Sequence, residues 1–287
     1  MLTFGYSGFA PFLKYHVIGA DGGLVRSVDI NLPAPVMMHD FAITDQHAVF
    51  FDSPAVFDLA SFANGGPIIR WKPENGMRIG VLDRTGNGSD VVWVETDPCF
   101  AFHFLNAFST SDGRVVVDAC RLPRMDIGLE REGGTVDANA WLHRYTIDVA
   151  AKHVRYEQVA ELPGDFPRVP AAMEGRQHRY GYYATFSSGH PDGGSFDSVT
   201  KVDFTSGTET THCYGAQVVA GEAVFAPDPA GSGGEDEGWL LNFVTDRRTE
   251  MTGFVVLDAA TLSEVARVQM PERVPFGFHG NWLPASV

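Results

Sequence analysis

Cysteine is scarce. Cys99, Cys120 and Cys213 are the only three in 287 residues, odd in number and widely spaced. They form no Cys-x-x-Cys pair and no disulfide framework, so a reducing, cytoplasmic setting is expected. Long apolar runs are missing too. No stretch reaches the roughly 18 residues that a membrane-spanning helix requires. The opening Met1-Leu2-Thr3-Phe4-Gly5-Tyr6 reads as the middle of a strand and does not look like a signal peptide. Positive charge is in short supply: 21 Lys and Arg stand against 36 Asp and Glu, for a net charge of −15 and a pI of about 4.9. A nucleic-acid partner needs basic patches and is excluded on that ground, and broad attraction to anionic lipid is disfavoured. No long stretch holds a 3.6-residue period, so long helices are not expected. The absence of a Gly-x-Ser-x-Gly motif leaves a propeller hydrolase unsupported.

Strand signals fill the space. Apolar residues make up 44% and charged residues 20%, ordinary for a soluble globular protein long enough to bury a substantial core. Strands are predicted at 24–32, 48–57, 78–82, 91–95, 115–119, 140–147, 180–186 and 239–244. Turns punctuate them at Asp21-Gly22-Gly23, Asn64-Gly65-Gly66-Pro67, Gly86-Asn87-Gly88, Asp112-Gly113, Gly133-Gly134 and 231–234. The 21 Phe fit core packing first and the lining of an apolar cavity second.

A repeat runs through this pattern. An apolar residue, then Asp, then a turn recurs at Leu82-Asp83, Ile147-Asp148, Val202-Asp203 and Leu257-Asp258, in steps of 65, 55 and 55 residues. The segment 15–28, with its Asp21-Gly22 turn, reads as an earlier copy. Periods of that size in an all-β chain suggest β-propeller blades, about five of them here. The competing explanation is hairpin spacing in a β-sandwich.

Three histidines stand in apolar, strand-like settings: Met38-His39-Asp40-Phe41, Phe102-His103-Phe104-Leu105-Asn106-Ala107-Phe108 and Phe278-His279-Gly280-Asn281-Trp282. Imidazole is the commonest protein ligand for transition metals, and a propeller would let one side chain per blade reach a shared axis. Plain alternation over 100–105 would put Ala101, His103 and Leu105 on one face and Phe100, Phe102 and Phe104 on the other, packed between blades. The remaining histidines, His16, His47, His143, His153, His178, His190 and His212, are read as surface or structural. Cys99 precedes His103 by four residues, a spacing that on a strand separates the side chains too far for a shared zinc. The acidic run Glu235-Asp236-Glu237 is read as a solvated loop.

At these motifs the chain resembles the carotenoid cleavage oxygenases, which include bacterial lignostilbene dioxygenases. The three histidine motifs, 64 and then 176 residues apart, resemble three of the family's four iron-ligand motifs. Asp165-Phe166-Pro167-Arg168, His178-Arg179-Tyr180-Gly181-Tyr182, Gly221-Glu222-Ala223-Val224-Phe225 and Glu237-Gly238-Trp239-Leu240-Leu241 resemble further family blocks. The resemblance implies one domain over residues 1–287, part of a seven-bladed propeller with Fe(II) on its axis. It also implies cleavage of a carbon–carbon double bond by O2 to give two carbonyl products. It makes His39, His103 and His279 metal ligands, with Glu222 and Asp165 as carboxylates that orient two of them. In the family the residue matching Asp165 is often Glu, and the shorter side chain puts its reach in question. The family's first histidine would precede Met1, so the chain is expected to be an N-terminally incomplete form with three of four ligands. Alone it is expected to expose two sheet edges and to fold poorly.

The implied partners are an apolar conjugated small molecule and O2, with peripheral membrane contact left to the absent part. The bacterial character of the sequence leans towards stilbene or apocarotenoid substrates. The alternative reading is a catalytically inactive propeller that binds apolar ligands or partners. Because each imidazole must be neutral to bind metal, acid should release the ion.

Overall fold

A computed structural model describes residues 1–125, 139–186, 195–215 and 217–284. The Gly133-Gly134 turn and His190 lie outside the described residues. The chain opens with a three-stranded antiparallel sheet of β1 (Leu2–Tyr6), β2 (Phe12–Ile18) and β3 (Leu24–Asn31). A second sheet follows, ordered β4 (Ala42–Ile43), β5 (His47–Asp52), β8 and β9. Between β5 and β8 the chain inserts a small hairpin of β6 (Ala55–Phe57) and β7 (Ile69–Trp71) around the short helix α1 (Leu59–Ala63). The sheet is completed by β8 (Met77–Asp83) and β9 (Val92–Thr96). The expected strand at 48–57 is therefore two strands, broken at Ser53-Pro54 and belonging to different sheets.

The third unit contains β10 (Phe100–Ser109), β11 (Val115–Leu122), β12 (Trp141–Asp148) and the first half of β13 (His153–Arg168). The second half of β13 is the first strand of the fourth unit, followed by β14 (Tyr180–Thr185), β15 (Ser198–Asp203) and β16 (Thr208–Cys213). The fifth is built from β17 (Val218–Ala220), β18 (Val224–Pro227), β19 (Gly238–Asp246), β20 (Thr252–Asp258) and β21 (Glu264–Gln269). Both β17 and β18 pair with β19, so together they form one interrupted first strand.

The Asp repeat has a physical basis. Asp83, Asp148, Asp203 and Asp258 each end the third strand of a unit, and each carboxylate accepts a backbone N–H in the following turn, from Thr85, Ala151, Thr205 and Thr261 respectively. Asp21 does the same for Gly23 in the β2–β3 turn. The bonds to Thr85, Thr205 and Gly23 reach two residues on, as in Asx turns, and those to Ala151 and Thr261 reach three; in each the carboxylate stands in for a backbone acceptor.

Strand alternation assigns the two faces of each sheet to two different cores. Ala48 and Phe50 of β5 join Leu13, Tyr15 and Ile30 between the first and second sheets. Val49 and Phe51 turn the other way, to meet Val115, Val117 and Ala119 between the second and third. Tyr183 of β14 packs with Cys120 and Leu142 of the third unit, while Tyr182 packs with Leu240 and Leu257 of the fifth. Five units thus stack in succession through four apolar layers. The chain is all-β with a propeller architecture, as its repeat predicts, and among the described residues no helix is long and apolar enough to cross a membrane.

β10 does not alternate as expected. Its pairing with β11 shifts between Ala101 and Phe104 and again between Phe104 and Asn106. Phe104 therefore joins Ala101 in the core facing the second sheet, and Leu105 joins Phe100 in the core facing the fourth. Each shift inserts an extra residue: the first reverses the alternation for Phe104 and Leu105, and the second restores it, so Ala107 again shares the core of Ala101.

Candidate metal centre

The first strands of successive units converge: β10 lies against both β4 and β13. Each is irregular where it delivers a polar side chain. His39 and Asp40 precede the two-residue β4, His103 lies in the β10 bulge, Asp165 borders a register shift in β13, and Glu222 occupies the break between β17 and β18. Bulges of this kind re-aim side chains beside functional sites.

His39, His103 and His279 come together. One ring nitrogen from each lies within 4.8 Å of the others. Ring centroids are 5.1 Å apart for His39 and His103, 4.9 Å for His103 and His279, and 6.5 Å for His39 and His279. A cavity of about 340 Å³ opens on them, lined also by Asp40, Phe104, Pro167, Arg168 and Glu222.

Asp165 reaches His103 despite its short side chain: Oδ1 lies 2.9 Å from Nδ1 and also accepts the Phe166 N–H at 2.8 Å. The reach comes from the backbone. A Cβ on Gly164 would collide with the Ala184 carbonyl and lie 2.8 Å from the Tyr183 ring, so β13 presses closely on β14. Phe166 then takes the left-handed conformation, φ 54°, unusual for an aromatic residue and a local strain of about 1–3 kcal/mol. Its ring lies 5.2 Å from His103 and 5.7 Å from His279.

Glu222 is held more elaborately. Its Oε1 accepts Arg168 Nε at 2.6 Å, and its Oε2 accepts the Gly280 N–H at 3.0 Å and lies 3.4 Å from His279 Nδ1. Arg168 also donates to the Gly280 carbonyl at 3.1 Å. The sequence assigns Arg168 and Phe166 no individual role and Phe102 only packing between blades; the Phe102 ring packs there and also lies 5.3 Å from His39. Their neighbourhood to the motif residues in Asp165-Phe166-Pro167-Arg168 and Phe102-His103 is the signal that could have drawn attention to them.

Protonation follows the surroundings. Burial works to lower the His103 pKa, but the hydrogen bond and charge of Asp165, joined by Asp40 and Glu222, together raise it above its ordinary value. Desolvation, then the charges of His103 and His279, push His39 down. Burial first, then the charge of Asp165, push the Cys120 thiol well up, so it stays protonated and inert. Cys99 points into the core against Met77 and Tyr145 and takes no part.

The residues fit a metal ion. With Nδ1 of His103 facing an acceptor-only carboxylate, Nε2 carries the lone pair, and Nε2 is buried with no protein hydrogen-bond partner. A histidine that donates one nitrogen to a carboxylate and offers the other to a shared point is the usual design of a metal ligand and its supporting shell.

Among the other expectations, His178 is buried, with Nε2 3.2 Å from Asp118 and Nδ1 3.0 Å from Asn106 Nδ2. Glu235-Asp236-Glu237 is not a freely solvated run. Glu235 accepts the Arg179 and Tyr180 N–H groups, Asp236 pairs with buried Lys201, and Glu237 accepts Gly233 and Gly234.

The class these features define is a propeller whose converging histidines could hold a metal ion. Residues 1–284 match the family of the retinal pigment epithelial membrane protein (RPE65), and the chain belongs to this family, that of the carotenoid cleavage oxygenases. It is 31% identical to a carotenoid cleavage oxygenase of Mycobacterium tuberculosis, over 96% of this chain and 63% of that protein. It superposes on the Pseudomonas brassicacearum lignostilbene dioxygenase with a TM-score of 0.91 at 27% identity, covering 99% of this chain and 63% of that one. A cobalt-substituted Synechocystis oxygenase (ACO) gives a TM-score of 0.83 at 28% identity, covering 94% and 58%. The chain thus spans less than two thirds of the length of these relatives.

Proposed function

We propose that residues 1–287 carry three of the four histidine ligands of an Fe(II) centre that cleaves a carbon–carbon double bond of an apolar, conjugated substrate of the carotenoid, apocarotenoid or stilbene type with O2. The reaction consumes one alkene and one O2 and yields two carbonyls, so it needs no external reductant. The observation that carries this reading is the buried, unpartnered Nε2 of His103, whose Nδ1 is taken by Asp165, in a ring that converges with those of His39 and His279.

Fe(II) held by neutral imidazoles would supply an open coordination site where O2 meets the alkene. The protein's part is orientation. Asp165 holds His103 in the Nε2-lone-pair tautomer, and Glu222, braced by Arg168, steadies His279 through its ring and through the following N–H. Phe102 and Phe166 bring apolar surface against the imidazoles, which suits an apolar substrate and limits water.

The test is iron content and affinity in the whole protein that includes this chain. About one iron per chain is expected from the family resemblance. His103→Ala should abolish binding, and Asp165→Asn should weaken it by about 10–100-fold. A folded whole protein that takes up no iron would leave the inactive-scaffold reading in its place.

A further inference from the structure

Asp40 is the chain neighbour of His39, yet its side chain belongs to His103. Phe104 sits between the two register shifts of β10, paired with Ala119 of β11, and Asp40 Oδ2 accepts its N–H at 3.1 Å. The other oxygen, Oδ1, accepts the N–H of Phe41 at 2.8 Å. Each oxygen therefore already serves a backbone donor, one on either side of the gap between two histidine-bearing segments. Although Asp40 lines the cavity, it does not belong to the cluster of converging ligand atoms formed by His39, His103 and His279.

We infer that Asp40 is a positioning residue: it ties the segment carrying His39 to the bulge carrying His103 and so sets the separation of those two imidazoles. Without the carboxylate, the Phe104 N–H would lose its acceptor, and an unpaired buried donor drives local rearrangement. That rearrangement falls on the doubly shifted stretch of β10 that carries His103, and so changes the position of His103 relative to His39. The side-chain chemistry makes the requirement specific. Asn offers a single acceptor oxygen where two N–H donors converge, and its amide would present a third donor to one of them. Glu restores the charge, but its extra methylene misplaces both oxygens.

The inference rests on the metal-centre reading, and its test separates the two. The whole protein is compared with Asp40→Ala, Asp40→Asn and, as a destabilised control, Leu13→Ala in the core between the first two sheets. Co(II) is the probe, because its visible absorption bands report ligand geometry. The control should lower Tm and leave the Co(II) spectrum unchanged. Asp40→Asn should alter the band positions and weaken Co(II) binding about 10-fold, and Asp40→Ala by up to about 100-fold. A metal-free readout runs beside it: hydrogen exchange at the Phe104 amide should be slow in the parent and much faster in both Asp40 variants. Should Asp40→Ala fail to fold, Asp40→Asn alone decides. An unchanged spectrum and unchanged Phe104 exchange in Asp40→Asn overturn the inference. If the parent binds no Co(II), the metal reading fails, and the Phe104 exchange still judges the tie itself.

Discussion

Asp118 illustrates how single residues carry the fold as well as the site. Its carboxylate is fully buried, accepts Arg144 Nε and Nη2 at 2.8 Å each, and lies 3.2 Å from His178. Burial alone would push it up, but Arg144 and His178 hold it below its ordinary value near 3.8. A depressed carboxyl pKa contributes stability that is present above the unfolded value and is lost as pH falls through the folded one. Asp118→Asn should therefore show a shallower loss of stability in acid than the parent, measured by denaturant unfolding across pH 2–6. At neutral pH it should be less stable by about 3–5 kcal/mol, because Arg144 is left without its buried partner. The sequence reads His178 as surface or structural, and it is buried. Its burial is not legible there, because it depends on Asp118 and Asn106, which lie 60 and 72 residues earlier in the chain.

At the scale of elements, the first strands decide where the site residues point. Gly164 shows what that demands. Gly164→Ala would drive a methyl into the Ala184 carbonyl and the Tyr183 ring. The expected result is a loss of about 1–3 kcal/mol from overpacking, together with displacement of Asp165 from His103. Thermal unfolding checks the first, and the His103 side-chain NMR signals check the second. The Asp turns at the ends of third strands were readable in advance, because such a turn is a local device whose residue and spacing both survive in one dimension. The interruptions were not. The β10 bulge at His103, the left-handed Phe166 beside the tightly packed Gly164 and the split of β17 from β18 at Glu222 are set by pairing with neighbouring strands, which one dimension does not show. Alternation alone therefore misassigned Phe104 and Leu105. The histidine set was legible because its flanking residues resemble family motifs, whereas Arg168 and Asp40 act through contacts no motif spells out.

Across the whole molecule, burial rises from the outer strands to the middle of each unit. In the fourth unit β16 is largely exposed, while β15 beside it is almost wholly buried, as is β11 in the third. Native-state hydrogen exchange should accordingly be fastest in the wholly exposed β21 and in β16, and slowest in β11 and β15. Uniform protection across all four would mean that the stacked cores open only together.

The distance in sequence between the three imidazoles has a consequence for the order of events in the cell. The nitrogen donors at positions 39, 103 and 279 lie within a few ångströms of one another only after every intervening layer has been laid down. A nascent polypeptide still attached to the ribosome short of residue 279 presents two of them at most. A cation held at this spot, as proposed, would thus be loaded only after residue 279 has been translated, and a product stalled or terminated before that point would be born without the third donor.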